Sequence, residues 1–66
     1  MVEIGQIRHW VNQSYGKPFL IIEVPALDPD EALFSRGWVR YIEDGKDCYD
    51  KIEWIEENSE VICEAG

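Results

Sequence analysis

The chain has 66 residues, with 14 acids against six bases and a formal charge of −8, a size that fits one domain over residues 1–66 and not two. The acidic surplus argues against a nonspecific nucleic-acid or anionic-membrane surface, because few lysines and arginines are left to displace phosphate counterions. A hydrophobic share of 45%, with three Trp, three Tyr and two Phe, is too rich for a disordered acidic tail and predicts a folded core.

Val2 to Val11 begins as strict alternation and shifts phase after Gly5, which predicts a strand bent or bulged at that glycine. Asn12 to Pro18 is turn chemistry. Phe19 to Val24 reads as a second strand, with Leu20, Ile22 and Val24 on one face and Phe19, Ile21 and Glu23 on the other. The wholly apolar set is the expected core face, and Pro25 is expected to end the strand. Asp28-Pro29-Asp30-Glu31 combines an N-cap, an N1 proline and an N3 glutamate, so residues 25–36 are predicted to form a long loop carrying a short helix, stopped by Gly37.

Trp38 to Glu43 alternates again, and Asp44-Gly45 is the strongest hairpin signal in the chain. Lys46 to Ile52 is the fourth strand, Glu53 to Asn58 a single helical or 3₁₀ turn, and Glu60 to Cys63 the last strand. Five short strands with tight turns predict a mainly β fold, a small antiparallel barrel. Its expected core is Ile4, Ile7, Leu20, Ile22, Val24, Val39, Tyr41, Ile52 and Val61.

Three stretches carry a resemblance: Gly5-Gln6-Ile7-Arg8-His9-Trp10, Trp38-Val39-Arg40-Tyr41-Ile42-Glu43-Asp44-Gly45, and Ile55-Glu56-Glu57-Asn58-Ser59-Glu60-Val61-Ile62. Their layout resembles that of small SH3-like barrels, including those found in short proteins of bacteriophages and other mobile elements. The resemblance implies a five-stranded SH3-like barrel. It supplies no catalytic residue, because the matching pieces are fold signals.

Catalysis needs a nucleophile with its base, a tuned carboxylate pair or a metal cage, each inside an enclosed cavity that so short a chain hardly provides. No enzyme activity and no cofactor are therefore expected. His9, the one histidine, precedes Trp10 on a predicted strand and reads as a surface or packed side chain. Asp44, Asp47 and Asp50 mimic a calcium loop only in spacing, since the glycine and the distal glutamate fall at the wrong offsets. Cys48 and Cys63 form no C-x-x-C, and reduced, packed thiols are expected. The N-terminus shows no basic region followed by an apolar run, and Phe19 to Ile22 is too short to span a bilayer, so a cytoplasmic protein with no membrane segment is expected.

Charge is the most specific feature. From Glu43 to Gly66 nine acids face two bases, a net of −7. Solubility alone accounts for such a surface; the sharper reading is an acidic face built for a basic protein surface, such as the nucleic-acid channel of an enzyme. Its expected contact residues are Asp44, Asp47, Asp50, Glu53, Glu56 and Glu57, with Trp38 and Trp54 as the half-exposed aromatics of a groove that Tyr15 or Tyr49 would complete. The sequence thus points to a noncatalytic protein-binding module, monomeric or weakly dimeric, of the kind a phage-encoded inhibitor of a host protein would be, without direct nucleic-acid contact. The alternatives are a nucleotide-sequestering barrel, which needs Arg8, Arg36 and Arg40 to converge beside an exposed tryptophan, and a structural component of an assembly, which needs a contiguous apolar patch.

Overall fold

A computed structural model describes residues 1–11, 17–26 and 37–65. The chain is mainly β. Five strands, β1 (Ile7–Trp10), β2 (Phe19–Ala26), β3 (Trp38–Glu43), β4 (Lys46–Lys51) and β5 (Ser59–Cys63), form one antiparallel sheet in the order β4-β3-β2-β1-β5. A seven-residue helix, α1 (Ile52–Asn58), joins β4 to β5, the two edge strands. No ladder joins those edges among the described residues, so closure into a barrel is not seen.

Local chemistry explains the turns. The Gln6 amide donates to the Glu3 carbonyl at 3.2 Å, with Gly5 at φ +95° in the third position, where a type II turn needs positive φ. That turn takes the place of the bulge expected at Gly5 and shortens the first strand. The Asp44-Gly45 hairpin has φ +53° and +76°, the paired positive values of a type I′ turn, and fixes the β3–β4 register from Glu43↔Lys46 to Trp38↔Lys51.

The core lies on one side of the sheet and consists of Val2, Trp10, Phe19, Ile21, Val39, Tyr41 and Ile55, with Val24, Cys48 and Ile52 packed against it. This corrects the expected core in three strands, β1, β2 and β5. In β1 the inward residues are Arg8 and Trp10, so Ile7 is only half-buried. Burying Trp10 removes far more apolar area than burying Ile7, and the two-residue period then carries Arg8 inward. In β2, Phe19 and Ile21 point inward, while Leu20 is exposed and Ile22 half-buried. Phe19 stacks on Trp10 with centroids 4.5 Å apart, and Tyr41 closes the cluster at 4.7 Å from Phe19.

Register irregularities between Ile21 and Glu23, and again between Glu23 and Ala26, then change the phase of β2. Val24 thereby reaches the core although Leu20 does not. The strand also continues through Pro25, which follows a cis bond and sits in the second irregularity, where no ladder donor is required of it. Ile4 and Val61, expected inside, are exposed. The short helix expected within residues 25–36, starting at Asp28-Pro29-Asp30-Glu31, lies outside the described residues.

Helix α1 is held by its inner face. Ile52 and Ile55, three apart, turn toward the sheet, and Ile55 is fully buried. Lys51 at the N-cap offers no side-chain cap, but the Ile52 amide donates to the Gly37 carbonyl at 2.8 Å. At the other end the Asn58 Nδ2 donates to the Trp54 carbonyl and the Ser59 hydroxyl to the Ile55 carbonyl.

Candidate functional site

The eight expected contact residues do not share one surface. Asp44 sits in the β3–β4 turn, 3.1 Å from Lys17 Nζ. Asp47 and Asp50 belong to opposite phases of β4: Asp47 pairs with Ile42 and forms an ion pair with Arg40 at 3.2 Å, whereas Asp50 pairs with the inward Val39. Asp50 accepts a 2.6 Å hydrogen bond from the Tyr41 hydroxyl. Its carboxylate is therefore a fixture of the core rim, which corrects the expectation of a single six-acid face. Trp38 is half-buried at the start of β3, in the outward phase.

The remaining four come together on α1. With Ile52 and Ile55 turned inward, Glu53, Trp54, Glu56 and Glu57 make up the exposed side of the helix, and Trp54 is 55% exposed. Glutamate is a good helix former, but the dipole favours only one of those three acids. Glu53 suits the first turn, but Glu56 and Glu57 stand in the last turn, where cations are favoured and none is present. Glu53 is also three and four residues from Glu56 and Glu57, spacings at which like charges repel. The Met1 amine, 3.9 Å from Glu56, is a weak exposed counter-charge.

Beneath the helix lies a buried cation that sequence reasoning missed. Arg8 is 5% exposed. Its Nε donates to Ser59 Oγ at 2.8 Å, Nη2 to the Ser59 carbonyl at 3.3 Å and Nη1 to Gln6 Oε1 at 3.0 Å. Among the described residues no carboxylate bonds it directly. Burial lowers its pKa, while the charges of Glu56 and Glu64 act the other way. Gln6 is itself buried, accepting from the Glu3 amide and donating to the Met1 carbonyl, so the chain entering β1 is organised around this guanidinium. The usable signal was the polar alternation of Gln6 and Arg8 ahead of Trp10. Arg40 projects from the other side of the sheet, so Arg8 and Arg40 do not converge, and Arg36 lies outside the described residues, as does Tyr15. The arginine cluster required by a nucleotide-sequestering site is not present among the described residues.

The aromatic cluster is anchored at its rim by two carboxylates. Trp10 Nε1 donates to Glu43 Oε2 at 3.1 Å and Tyr41 to Asp50. Burial, followed by that hydrogen bond and the Asp50 charge, pushes the Tyr41 phenol well above its ordinary value near 10. The stability contributed by the neutral phenol is complete below that value and is lost as pH rises through the raised one, because the unfolded chain releases the proton first. Thermal stability therefore falls above about pH 10, by up to about 1.4 kcal/mol per pH unit from this group. Melting curves of the Tyr41→Phe variant should show a shallower alkaline loss; an unchanged slope would contradict the assignment.

Cys48 and Cys63 are free, on β4 and β5. Burial, with Glu43 and Asp50 nearby, raises the Cys48 pKa, the reverse of what a reactive thiolate needs. His9 points outward, 3.7 Å from Glu60. Among the described residues no group of three or more His, Cys, Asp or Glu side chains could hold a metal ion, and no helix is long and apolar enough to cross a membrane. Comparison with protein-family models, with curated proteins and with solved structures gives no match for this chain.

Proposed function

We propose that the chain is a noncatalytic protein-binding module of SH3-like build, and that the exposed side of α1 docks on a basic surface of a partner protein. Trp54 supplies the apolar anchor and Glu53, Glu56 and Glu57 the complementary charge. The carrying observation is that this tryptophan stands exposed among three acids, two of which, Glu56 and Glu57, oppose the dipole of the helix they sit on. A feature that weakens folding is accounted for when a partner's positive charge relieves it. Aromatic anchors ringed by charge suit a protein interface, where the ring contributes affinity and the charges contribute association rate. A phage-borne inhibitor that occupies the basic channel of a nucleic-acid-processing host enzyme is the partner relation this reading favours, with the carboxylates standing in for phosphates.

The test compares wild type with Glu56→Lys/Glu57→Lys and with Trp54→Ala for capture of proteins from host lysate at low and physiological salt. At Glu57 a lysine suits the helix C-terminus and should raise stability by about 0.3–1 kcal/mol, whereas at Glu56 that gain is offset by repulsion of Arg8 and the Met1 amine, so melting curves of the pair establish that it is folded. The lysine pair should abolish the specific capture. Wild-type association should weaken as the screening length shrinks to about 8 Å. Full capture by the lysine variant, or equal capture at both salts, would leave the acids as a solubilising surface only.

A further inference from the structure

The strand register lays an apolar row across the side of the sheet that faces away from the core. Cys63 is opposite Ile7, Ile7 opposite Leu20, and Leu20 opposite Ile42. Partners in an antiparallel ladder project to the same face. Val39 and Tyr41, in the alternate phase of β3, point into the core, so this row points away from it. Leu20 is 41% exposed, and Ile7 and Ile42 are half-buried, so the row leaves apolar surface in one line on a face where side chains turned to water are commonly polar.

The charges beside this row differ from those elsewhere on the chain. At outward positions of the sheet, Glu23, Asp47 and Glu60 stand among Arg40, Lys51 and His9; Glu23 lies opposite Arg40 in the ladder, Arg40 holds Asp47 at 3.2 Å, and His9 lies 3.7 Å from Glu60. Helix α1, packed on the core side through Ile55, carries three acids and no base. The molecule is thus electrostatically two-sided: a partly apolar sheet face that mixes acids with bases, and a helical face that carries acids alone.

We infer that the sheet face is the contact between two copies of the chain, a weak two-fold homodimer in which the Ile7–Leu20–Ile42 rows pack together and both acidic helices point outward. Charge selects the occupant. Two molecules of charge −8 meet with least repulsion on the face where bases come nearest to offsetting the acids, and a patch of both signs lets Glu23 and Asp47 of one copy face Arg40 and Lys51 of the other across a two-fold axis. A strongly basic partner would instead be drawn to α1. A row of three aliphatic side chains is short of a standard interface, so the association is weak. This inference does not rest on the role of α1: the two faces respond to salt in opposite directions, because salt screens the residual repulsion between copies and weakens docking of a basic partner.

Sedimentation of the full chain, with a reductant present so that Cys63 thiols cannot link, reads the outcome. At roughly 0.5 mM protein the weight-average mass should exceed 7.7 kDa and rise further in about 0.5 M NaCl, where the screening length is about 4 Å. Leu20→Glu and Leu20→Lys should each weaken association by about tenfold or more, the expected result of placing an unpaired charge at the centre of an apolar contact; Trp54→Ala should leave it unchanged. Melting curves establish that the Leu20 variants are folded, and methyl shifts of wild-type Leu20 and Ile42 on dilution test the contact without any substitution. A mass of 7.7 kDa at both salts, dimerisation by folded Leu20 variants, or dilution shifts confined to α1 would overturn the inference.

Discussion

Ile21→Ala should cost about 2–5 kcal/mol, whereas Ile22→Ala, one residue on, should cost about 1 kcal/mol or less. Ile21 is 1% exposed in the core cluster and its neighbour is half-buried on the other phase of β2. For a chain of 66 residues, whose total stability is expected at about 3–10 kcal/mol, the first loss is a large share of the whole. Urea titration of both variants reads the difference as separated midpoints with equal slopes. The opposite ranking would place Leu20 and Ile22 in the core and remove the register irregularity after Ile21 from the account.

Ser59→Ala is expected to cost about 2–3 kcal/mol, although only one hydroxyl is lost. That hydroxyl accepts from Arg8 Nε and donates to the Ile55 carbonyl, so its removal leaves a buried charged donor and a helix-end carbonyl short of partners. Arg8→Met should cost less than about 1 kcal/mol, because an apolar chain of similar length fills the site and no buried charge remains. Combining the two should cost less than the sum of the singles, since without the guanidinium Ser59 has one fewer role. Additive losses across this cycle would show that Arg8 and Ser59 stabilise the fold separately.

Legibility in the sequence followed the strength of the local signals. Trp38 to Glu43, the Asp44-Gly45 turn and β4 were readable because a two-residue alternation ran into a turn that needs positive φ, and the structure places strands and hairpin there. The helical turn expected over Glu53 to Asn58 is present, and it starts one residue earlier because Ile52, assigned to the fourth strand, turns inward with Ile55 as its first residue. β2 was misread because its phase changes within the strand: counting apolar residues favours Leu20, Ile22 and Val24, whereas stacking of Phe19 on Trp10 decides the first half and the irregularity after Ile21 decides the second. No periodicity within one strand reveals a contact made with another.

The same reason explains the candidate site. The nine acids from Glu43 onward are visible in the sequence as a concentration of charge, but which of them share a surface depends on strand phase and on which side α1 packs. Asp47 and Asp50, three residues apart, separate onto opposite sides of β4, and only the exposed side of α1 keeps its members together. Burial of Arg8 was hidden for a related reason, since a charged residue enters a core when a larger neighbour on its face, here Trp10, fixes the phase of the strand.

The measurement closest to the proposed function is a map of backbone amide shifts in nitrogen-labelled protein as the captured partner is added. Docking through α1 predicts shifts and broadening centred on Glu53, Trp54, Glu56 and Glu57, reduced when salt is raised, with Leu20 and Ile42 unaffected. Shifts centred on the sheet face around Leu20 and Ile42, with α1 unchanged, would contradict it.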